Sequence, residues 1–466
     1  NGETFTGSTA AYAMSNGFEV LGYLRGANGL DYKDGNGNDV FASGEDFYSA
    51  LGKTAYETET GYRFEVSGQY VSDAAERPFR ANLQTTNGTY VSRIYDTTRQ
   101  NYAINFGKDT VSGLWNPVVV AGYSENDFKV VDPWGSMATV GTWSGKVENV
   151  FELSEDNTIT GGLDFLSQQA DYTDDFDGDL DESVANVGAY VQARIRPYER
   201  LSLSFGGRAD SNHFTGKDGT DLDNFGFSGN AFAEIAVGGG FSVNAGYSNV
   251  FGGIDLEETF EFWRAMDYSN LKPLRSDNVT AGIKYQNNGW FAEGNVFNTR
   301  FWNFRDIDQN IDLSSYGFNL AGGYNWGNGF VRISYSNTDV SNPDGTSESY
   351  YVQDFGSQVG QVISAEVAHT FEDYDVTLGG TLDAALEYDG FEKHGLATLD
   401  PYLVVNAYAE YNPKRFEALT VRFEANNIFD ENYIARGTYG GEYVDVGLVP
   451  NYEPGRSFRL AAKLRY

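Results

Sequence analysis

A run of acidic residues between Asp171 and Glu182 has the residue types and spacing of a calcium-binding loop. The run reads D-Y-T-D-D-F-D-G-D-L-D-E, and four of its aspartates stand at every second position: Asp175, Asp177, Asp179 and Asp181. Carboxylate oxygens at short intervals, with a glycine that permits a sharp turn, suit Ca²⁺. The sequence therefore predicts a possible Ca²⁺ site in this loop; the alternative is an acidic loop that is only solvated.

The chain offers few residues for covalent or redox chemistry. It has no cysteine, which excludes disulfides, thiolate metal ligands and thiol catalysis. Its three histidines, His213, His369 and His394, are scattered, and the nucleophile-elbow motif G-x-S-x-G does not occur. We therefore expect that the protein is not an enzyme and requires no cofactor.

The composition of the 466-residue chain favours a large β protein. Aromatic residues make up 15%, and 55 glycines stand against 10 prolines, which is typical of many strands joined by tight turns. The formal net charge of -34 has the wrong sign for a nucleic-acid partner, and the aromatic content argues against disorder. No run of 18 apolar residues occurs, so the sequence predicts no transmembrane helix.

The last stretch of the chain, Arg456–Tyr466, alternates strictly between two kinds of side chain. Phe458 and Leu460 are apolar, and they alternate with the cationic Arg459 and Lys463. Such period-2 alternation predicts a strand with one apolar face and one wet face. About 21 segments of similar character, most of them near ten residues long, recur along the chain.

Short and long connections alternate between these segments. The turns 15–17 and 287–289 are short and contain Asn and Gly, whereas Gly26–Glu45, Ser72–Asp96 and Asp171–Glu182 are predicted to be loops. Ten tilted residues cross the hydrocarbon of a bilayer, and this alternation of connections is typical of bacterial barrels. We therefore predict an all-β fold in residues 1–466: a transmembrane, antiparallel, up-and-down β-barrel of about 22 strands, about 21 of them in this chain.

The number of predicted segments is odd, which indicates that one strand of the barrel is not among them. Bacterial barrels have an even number of strands, with both chain ends on the inner side of the membrane. One further strand is therefore expected before Asn1. The alternative is a miscounted strand around Asp127–Trp134.

Four segments resemble the TonB-dependent outer-membrane receptors of the siderophore and haem type. Asn426–Tyr433 is similar to the family's Asn-Leu-Phe-Asp pattern, and Pro454–Phe458 to the Pro-Gly-Arg that begins its last strand. Asn270–Asn278 resembles a mid-barrel Asn-x-x-Leu-Lys-Pro-Glu motif, although Leu274 replaces the usual Glu and the spacer is shorter. Asp31–Asn38 resembles a first long loop. Because these segments touch both ends and the middle, the resemblance covers essentially the whole chain.

The resemblance implies a location and partners. Such receptors lie in the outer membrane of Gram-negative bacteria, surrounded by lipid and lipopolysaccharide. A globular plug domain fills their lumen, and the TonB energy-transducing complex pulls on that plug. Since barrel-like segments begin at Thr4, the plug domain and the first strand are expected to be missing from this chain.

The resemblance also implies that the outer loops and upper lumen capture a ferric chelate. Aromatic faces combined with guanidinium groups suit an anionic, partly aromatic chelate. The residues expected to bind substrate on this basis are Phe260, Phe262, Trp263, Arg264, Tyr268, Trp302, Arg305, Tyr350, Tyr351, Arg436, Tyr439 and Tyr443. The alternative is that these residues pack the loops together or belong to an interfacial aromatic belt.

The identity of the chelate is predicted less sharply. A siderophore is favoured over haem because no histidine lies in Phe251–Ser276, where the haem motif of such receptors would sit; His394 keeps haem open. Other members of the family import cobalamin, nickel chelates or oligosaccharides. A passive outer-membrane pore and a binding scaffold that transports nothing are the remaining alternatives.

Overall fold

One antiparallel sheet of 21 strands contains almost all of the regular structure of the described residues. The computed structural model describes residues 2–78, 83–85, 92–108, 110–132, 135–174, 178–256, 267–341, 359–389, 398–437 and 448–465. Strands that follow one another along the chain within this sheet pair with each other, which is the up-and-down order. The 21 predicted segments correspond one to one with these 21 strands, so the predicted fold class is confirmed.

The strands are β1 (Thr4–Ser15), β2 (Phe18–Gly29), β3 (Glu45–Glu57), β4 (Tyr62–Pro78), β5 (Leu83–Thr85), β6 (Ser92–Lys108), β7 (Pro117–Asp132), β8 (Ser136–Ser154), β9 (Asn157–Asp174), β10 (Gly178–Tyr198), β11 (Leu201–Thr215), β12 (Asp221–Gly238), β13 (Phe241–Gly253), β14 (Leu274–Asn287), β15 (Trp290–Asp306), β16 (Gln309–Trp326), β17 (Gly329–Ser341), β18 (Gly360–Phe371), β19 (Val376–Ala385), β20 (Tyr402–Tyr411), β21 (Leu419–Asn426), β22 (Leu448–Pro450) and β23 (Ser457–Leu464). The short strands β5 and β22 pair only with each other. Two 3₁₀ turns are described at Tyr268–Asn270 and Lys414–Phe416, and no helix among the described residues is long and apolar enough to cross a membrane.

The alternation of side chains separates an apolar outer face from a polar inner face. In β23, Phe458 and Leu460 are among the most exposed apolar side chains, as a lipid-facing position requires. On the other face, long side chains reach over an intervening strand: Arg63 of β4 binds Glu19 of β2 at 2.7 Å. Strands two apart approach each other only on the concave side of a curved sheet, so this polar face lines the lumen.

Several strands extend further outward than the sequence predicts. β4 continues to Pro78, so the predicted loop Ser72–Asp96 is shorter than expected. β9 ends at Asp174 and β10 begins at Gly178, so most of the predicted loop Asp171–Glu182 is hairpin. Above the membrane both faces of a hairpin contact water, so the ladder continues without the alternation by which strands are recognised.

The two edge strands of the sheet are β1 and β23. Among the described residues β1 pairs with β2 and β23 with β21, and no ladder joins β1 to β23. The outer loops nevertheless meet across this seam. Tyr32, in the loop between β2 and β3, donates a hydrogen bond to the carbonyl of Tyr452 at 2.9 Å. The amide of Gly455 donates to the carbonyl of Lys33 at 2.8 Å.

Candidate functional site

Tyr268 and Arg305, both predicted to bind substrate, meet in a buried cluster beneath the outer loops. The guanidinium carbon of Arg305 lies 4.9 Å from the ring centres of both Tyr268 and Phe214. These two rings contact each other edge to face at 5.8 Å, and Tyr268 is only 1% exposed. Ile254 and Leu271, which flank the same outer loop, complete the apolar packing.

Glu182 of β10 completes this cluster. Its two carboxylate oxygens accept hydrogen bonds from Nη1 and Nη2 of Arg305 at 2.6 and 2.9 Å. Nη1 also donates to the carbonyl of Asp255 at 2.6 Å, and Nε donates to that of Ile307 at 2.8 Å. The side chains of Arg305 and Glu182 are 9% and 2% exposed. The arrangement therefore ties the outer loop to the barrel wall and turns Tyr268 and Arg305 away from solvent.

Asp218, in the loop between β11 and β12, anchors the same cluster from another side. Its carboxylate accepts hydrogen bonds from the amide of Tyr268 at 3.1 Å and from the amide of Thr220 at 2.9 Å. Burial acts to raise the pKa of Asp218, but the hydrogen bonds from Thr220 and Tyr268 outweigh it, so its pKa lies below the ordinary value. The ionised carboxylate is thus the form that holds the loop.

Arg436 and Trp302 lie at the outer end of the barrel, on different faces of its wall. Arg436 is buried: its Nη2 donates to the carbonyls of Leu386 and Leu399, and its guanidinium lies 5.7 Å from the ring centre of Tyr402. Burial lowers the pKa of Arg436. Trp302 lies at the outer end of β15, in the same alternating phase as the lipid-facing Val296. Trp302 therefore lies on the outer face, whereas Arg436 packs against Tyr402, which shares the inner phase of β20 with Asn406.

Part of the predicted set falls outside the described residues. These positions are Phe260, Phe262, Trp263, Arg264, Tyr350, Tyr351, Tyr439 and Tyr443 among the predicted substrate contacts, and Asp175 and Asp177 among the predicted calcium ligands. Asp179 and Asp181 are described, and both are exposed on β10; Asp179 accepts a hydrogen bond from the hydroxyl of Thr173 at 2.8 Å. No group of three or more potential metal ligands is found within the described ranges.

The histidines give little support for an axial haem ligand in the described lumen. His213 is exposed and its Nδ1 lies 2.8 Å from Asp223, in the outward phase of β11. His369 is near the inner end of β18, and its Nδ1 accepts a hydrogen bond from Trp326 at 3.0 Å. His394 lies outside the described residues.

A cavity of about 460 Å³ opens on the inner face near the outer end of the barrel, where sequence reasoning placed no site. The barrel wall contributes residues of β3, β4, β6 and β7, and the loop between β2 and β3 contributes the cover. The lining residues are Tyr32, Ala42, Ser43, Gly44, Glu45, Asp73, Ala75, Arg77, Tyr95, Thr97, Phe128 and Asn451. The register pairs Asp73 with Thr97 and Thr97 with Phe128, so these wall residues share the inner phase.

The cavity combines aromatic faces with one guanidinium. Tyr95 and Phe128 contact each other with ring centres 4.7 Å apart. Nη2 of Arg77 binds both carboxylate oxygens of Asp73 at 2.8 and 3.1 Å, and Nη1 donates to a carbonyl of the covering loop. Burial, and then the charge of Glu453, raise the pKa of Tyr32 to about 12, so its hydroxyl stays protonated and donates. This lining suits a flat or aromatic ligand that also carries an acceptor for Arg77.

The sequence contains a signal for this cavity: two aromatic residues stand at positions that alternate with the lipid-facing ones. Tyr95 and Phe128 occupy the polar phase of their strands, alongside Thr97 and Asn126, whereas Tyr102 occupies the apolar phase. An aromatic side chain in the polar phase of a wide barrel faces the lumen. The candidate residues were chosen by loop position alone, so these lumen-facing aromatics were not among them.

Comparison with known proteins agrees with this architecture. A family model described as "TonB dependent receptor-like, beta-barrel" matches residues 5–428. The chain belongs to this family. The receptor is therefore an outer-membrane protein of Gram-negative bacteria, of the TonB-dependent, iron-related class.

The names of similar proteins mention different transported ligands. It is 26% identical over 491 aligned residues to a protein named heme transporter BhuA from Brucella ovis, covering 100% of the receptor and 73% of that protein. The FrpB iron transporter from Neisseria meningitidis (F3-3 variant) matches with a TM-score of 0.86 at 15% identity, covering 99% and 79% of the two chains. The pyoverdine outer membrane receptor FpvA from Pseudomonas aeruginosa matches with a TM-score of 0.76 at 13% identity, covering 100% and 77%. At such identities the solved structures support the fold alone.

Proposed function

We propose that the receptor imports a ferric chelate and that the chelate docks in the cavity lined by Tyr95, Phe128 and Arg77. The cavity carries the proposal because it lies at the outer end of the lumen, where an arriving ligand first meets the barrel wall. Its volume falls within the range of small-molecule sites. Its rings offer stacking faces, and the Arg77 guanidinium can exchange its contacts with Asp73 and the covering loop for the oxygens of a chelate.

A siderophore and haem remain the two candidate cargoes, and each has its own support. The siderophore is supported by the positions of His213 and His369, neither of which faces the described lumen. Haem is supported by the relative named heme transporter BhuA, to which the whole receptor aligns. Tyr95, which lines the cavity, also has an oxygen able to ligate haem iron.

Transport through the barrel follows the cycle proposed for the family. A plug domain occupies the lumen, and the TonB complex pulls on that plug once the chelate is bound. The lumen wall offers the plug charged partners, such as Arg422, which bridges Glu410 and Glu424. It also offers the exposed Arg459, 3.7 Å from Glu424. Lipid and lipopolysaccharide contact the apolar outer face.

Binding and uptake measurements test the proposal. Purified receptor is titrated with a panel of ferric siderophores and with haem, and iron uptake is compared in cells with and without TonB. Tyr95→Ala removes one stacking face, so we expect the Kd to rise by about tenfold, as the loss of one aromatic contact implies. Arg77→Gln is expected to weaken binding of anionic chelates more than neutral ones.

A matched control lies on the same strand. Tyr102→Ala removes a lipid-facing ring from β6 and is expected to leave the Kd unchanged. Equal affinities for Tyr95→Ala, Tyr102→Ala and the unmodified receptor would refute the cavity as the docking site. Haem binding that is lost in His394→Ala, in a receptor that binds none of the ferric siderophores, would assign the cargo as haem. Uptake that persists without TonB would instead indicate a passive pore.

A further inference from the structure

Two arginines face the lumen directly beneath the docking cavity. Arg25 of β2 pairs with Ser49 of β3. Val71 of β4 pairs with Ser49 on one side and with Arg99 of β6 on the other, so the two arginines belong to one row across the inner face. Arg99 follows Thr97, which lines the cavity, by two positions on a strand that runs towards the periplasm. The row of the two arginines is therefore the first one below the cavity.

The barrel wall gives these two arginines no ion-pair partner. The guanidinium carbon of Arg25 lies 5.3 Å from the ring centre of Phe47, which pairs with Asp73 of the cavity. Nε of Arg99 donates a hydrogen bond to Oδ1 of Asn126 at 2.7 Å. Within the described ranges, no carboxylate forms an ion pair with either guanidinium. Both side chains are exposed to the lumen.

Other arginines of the lumen wall are neutralised by carboxylates. Arg63 binds Glu19 at 2.7 Å and Glu65 at 3.2 Å, and Arg422 likewise bridges two carboxylates. On the periplasmic side of the two arginines, by contrast, the next row is uncharged and consists of Tyr23, Leu51, Gln69 and Asn101. In a chain with a net charge of -34, two guanidiniums in such surroundings are suited to an anion that comes from outside the wall.

We propose that Arg25 and Arg99 bind ionised carboxylates of the cargo, on the side of the cargo that points into the barrel. The proposal rests on the docking proposed above, because it places these carboxylates directly beneath the rings of Tyr95 and Phe128. Three strand spacings, about 14 Å, separate the two backbone positions, so one ligand with two carboxylates can reach both long side chains. Each guanidinium can donate two parallel hydrogen bonds to a carboxylate.

Two kinds of iron ligand share this chemistry. Haem has two propionates, and some ferric siderophores have carboxylates that extend beyond the iron. A neutral ferric trihydroxamate has no such group. The proposal therefore narrows the cargo to an anionic chelate with free carboxylates, and binding of each kind of ligand distinguishes the two sources.

Equilibrium titration of the purified receptor tests the two arginines. The probes are haem, haem dimethyl ester, ferric citrate and a neutral ferric trihydroxamate. We expect Arg25→Gln and Arg99→Gln each to raise the Kd for the bound carboxylate ligand by about tenfold, as the loss of one charge-assisted hydrogen bond implies. The Kd for the ester or for the trihydroxamate is expected to be the same in the variants and in the unmodified receptor.

The matched control removes one positive charge from the lumen wall away from the cavity. Arg208 of β11 reaches over β10 to bind Asp164 of β9, so Arg208 and its register partner Tyr190 face the lumen. Arg194 of β10 is in the same phase as Tyr190 and lies nearer the periplasm. Arg194→Gln is expected to leave every Kd unchanged, whereas a general effect of lumen charge would raise the Kd for the carboxylate ligands as much as Arg25→Gln does.

The outcomes separate this proposal from the docking cavity itself. A Kd that rises equally for haem and its ester in the arginine variants would show that the arginines support the barrel or a plug domain, and would overturn the proposal. A receptor that binds neither haem nor ferric citrate would overturn it as well. If Tyr95→Ala weakens binding while Arg25→Gln and Arg99→Gln do not, the cavity stands as the docking site and the two arginines are excluded.

Discussion

Replacing Arg305 by methionine is expected to release the outer loop between β13 and β14 from the barrel wall. The substitution keeps an apolar stem of similar length but removes the guanidinium that faces the Glu182 carboxylate. It also removes the cation from between the rings of Tyr268 and Phe214. Because the side chains of the pair are at most 9% exposed, water does not screen the loss.

The magnitude follows from the burial of the pair. Removing one partner of a buried ion pair costs roughly 3–5 kcal/mol, and some of this is recovered as the loop relaxes and water enters. We therefore expect local opening of the loop to become easier by about 3 kcal/mol, or roughly a factor of 100 in the opening constant. The barrel itself is held by its ladders, so its global unfolding changes little.

Hydrogen–deuterium exchange of the receptor in detergent micelles measures this opening. The reporting amides are Ile254, which donates to Asn212 at 3.0 Å, and Leu271, which donates to Tyr268 at 3.0 Å. Both are expected to lose about 100-fold in protection, following the cost of one buried partner. The double variant Glu182→Met with Arg305→Met removes both charges together and is expected to recover most of the protection.

An exposed ion pair provides the matched control. Arg196→Met breaks the pair with Asp156, whose side chains are 46% and 54% exposed, and is expected to change protection by less than about threefold. If Arg305→Met leaves the two amides unchanged, the cluster does not hold the loop. If the double variant is as poorly protected as the single one, packing and not charge is the cause.

Three further predictions concern the outer loops. The lowered pKa of Asp218 means that its stabilising contribution is complete above the ordinary aspartate pKa and is lost as the pH falls through the lowered value; Asp218→Asn should expose the amide of Tyr268 to exchange at neutral pH. Burial raises the pKa of Glu453, so its ionised form opposes docking of the last loop; Glu453→Gln should increase protection of its own amide at pH 7. We propose that the β9–β10 hairpin, which contains Asp179 and Asp181, binds Ca²⁺. Calorimetry should then detect Ca²⁺ binding that the double variant Asp179→Asn with Asp181→Asn abolishes.

Each of these three predictions has an outcome that contradicts it. Protection at Tyr268 that is identical in Asp218→Asn would show that the hydrogen bond, and not its charge, is sufficient. Equal protection of the amide at position 453 in Glu453→Gln and in the unmodified receptor across pH 5 to 8 would show that the carboxylate is solvated. A Ca²⁺ titration without heat, or with the same heat in the double variant, would show that the acidic hairpin is only solvated.

The strands were predictable because one physical rule acts along the whole chain. Every crossing strand contacts lipid on one side and water on the other, so apolar and polar residues must alternate. The rule fails above the membrane, where the β9–β10 hairpin has water on both sides. This is why Asp179 and Asp181 looked like residues of a loop although they lie in a strand.

The candidate site was only partly predictable, for a different reason. Loop position and residue type brought Tyr268 and Arg305 into the predicted set, and the structure does place them side by side. Nothing in the local sequence, however, reveals that Glu182, which is 123 positions away in the chain, binds Arg305 in the fold. A buried partner converts a candidate ligand contact into a structural tie, and that distinction requires the fold.

The family-like segment Asn426–Tyr433 has a physical role at the start of the last loop. Asn427 is buried and adopts a positive φ of 47°; its side chain donates to the carbonyl of Pro454 at 3.1 Å. Asp430 accepts from the amide of Arg456 at 2.7 Å, and the two side chains pair at 3.2 Å. The two motifs near the C-terminus therefore bind each other, which fixes the two ends of a long loop beside each other.

The first-loop motif, Asp31–Asn38, docks on this same site. A Cβ on Gly35 would lie 2.5 Å from the backbone of Glu431, and a Cβ on Gly455 would lie 2.5 Å from the carbonyl of Asp34. Only glycine permits that approach, and it lets the amide of Gly455 reach the carbonyl of Lys33. The contact joins loops on either side of β1 and β23, where no ladder is described. Motifs from the two ends of the chain thus connect the outer rim across the seam of the sheet.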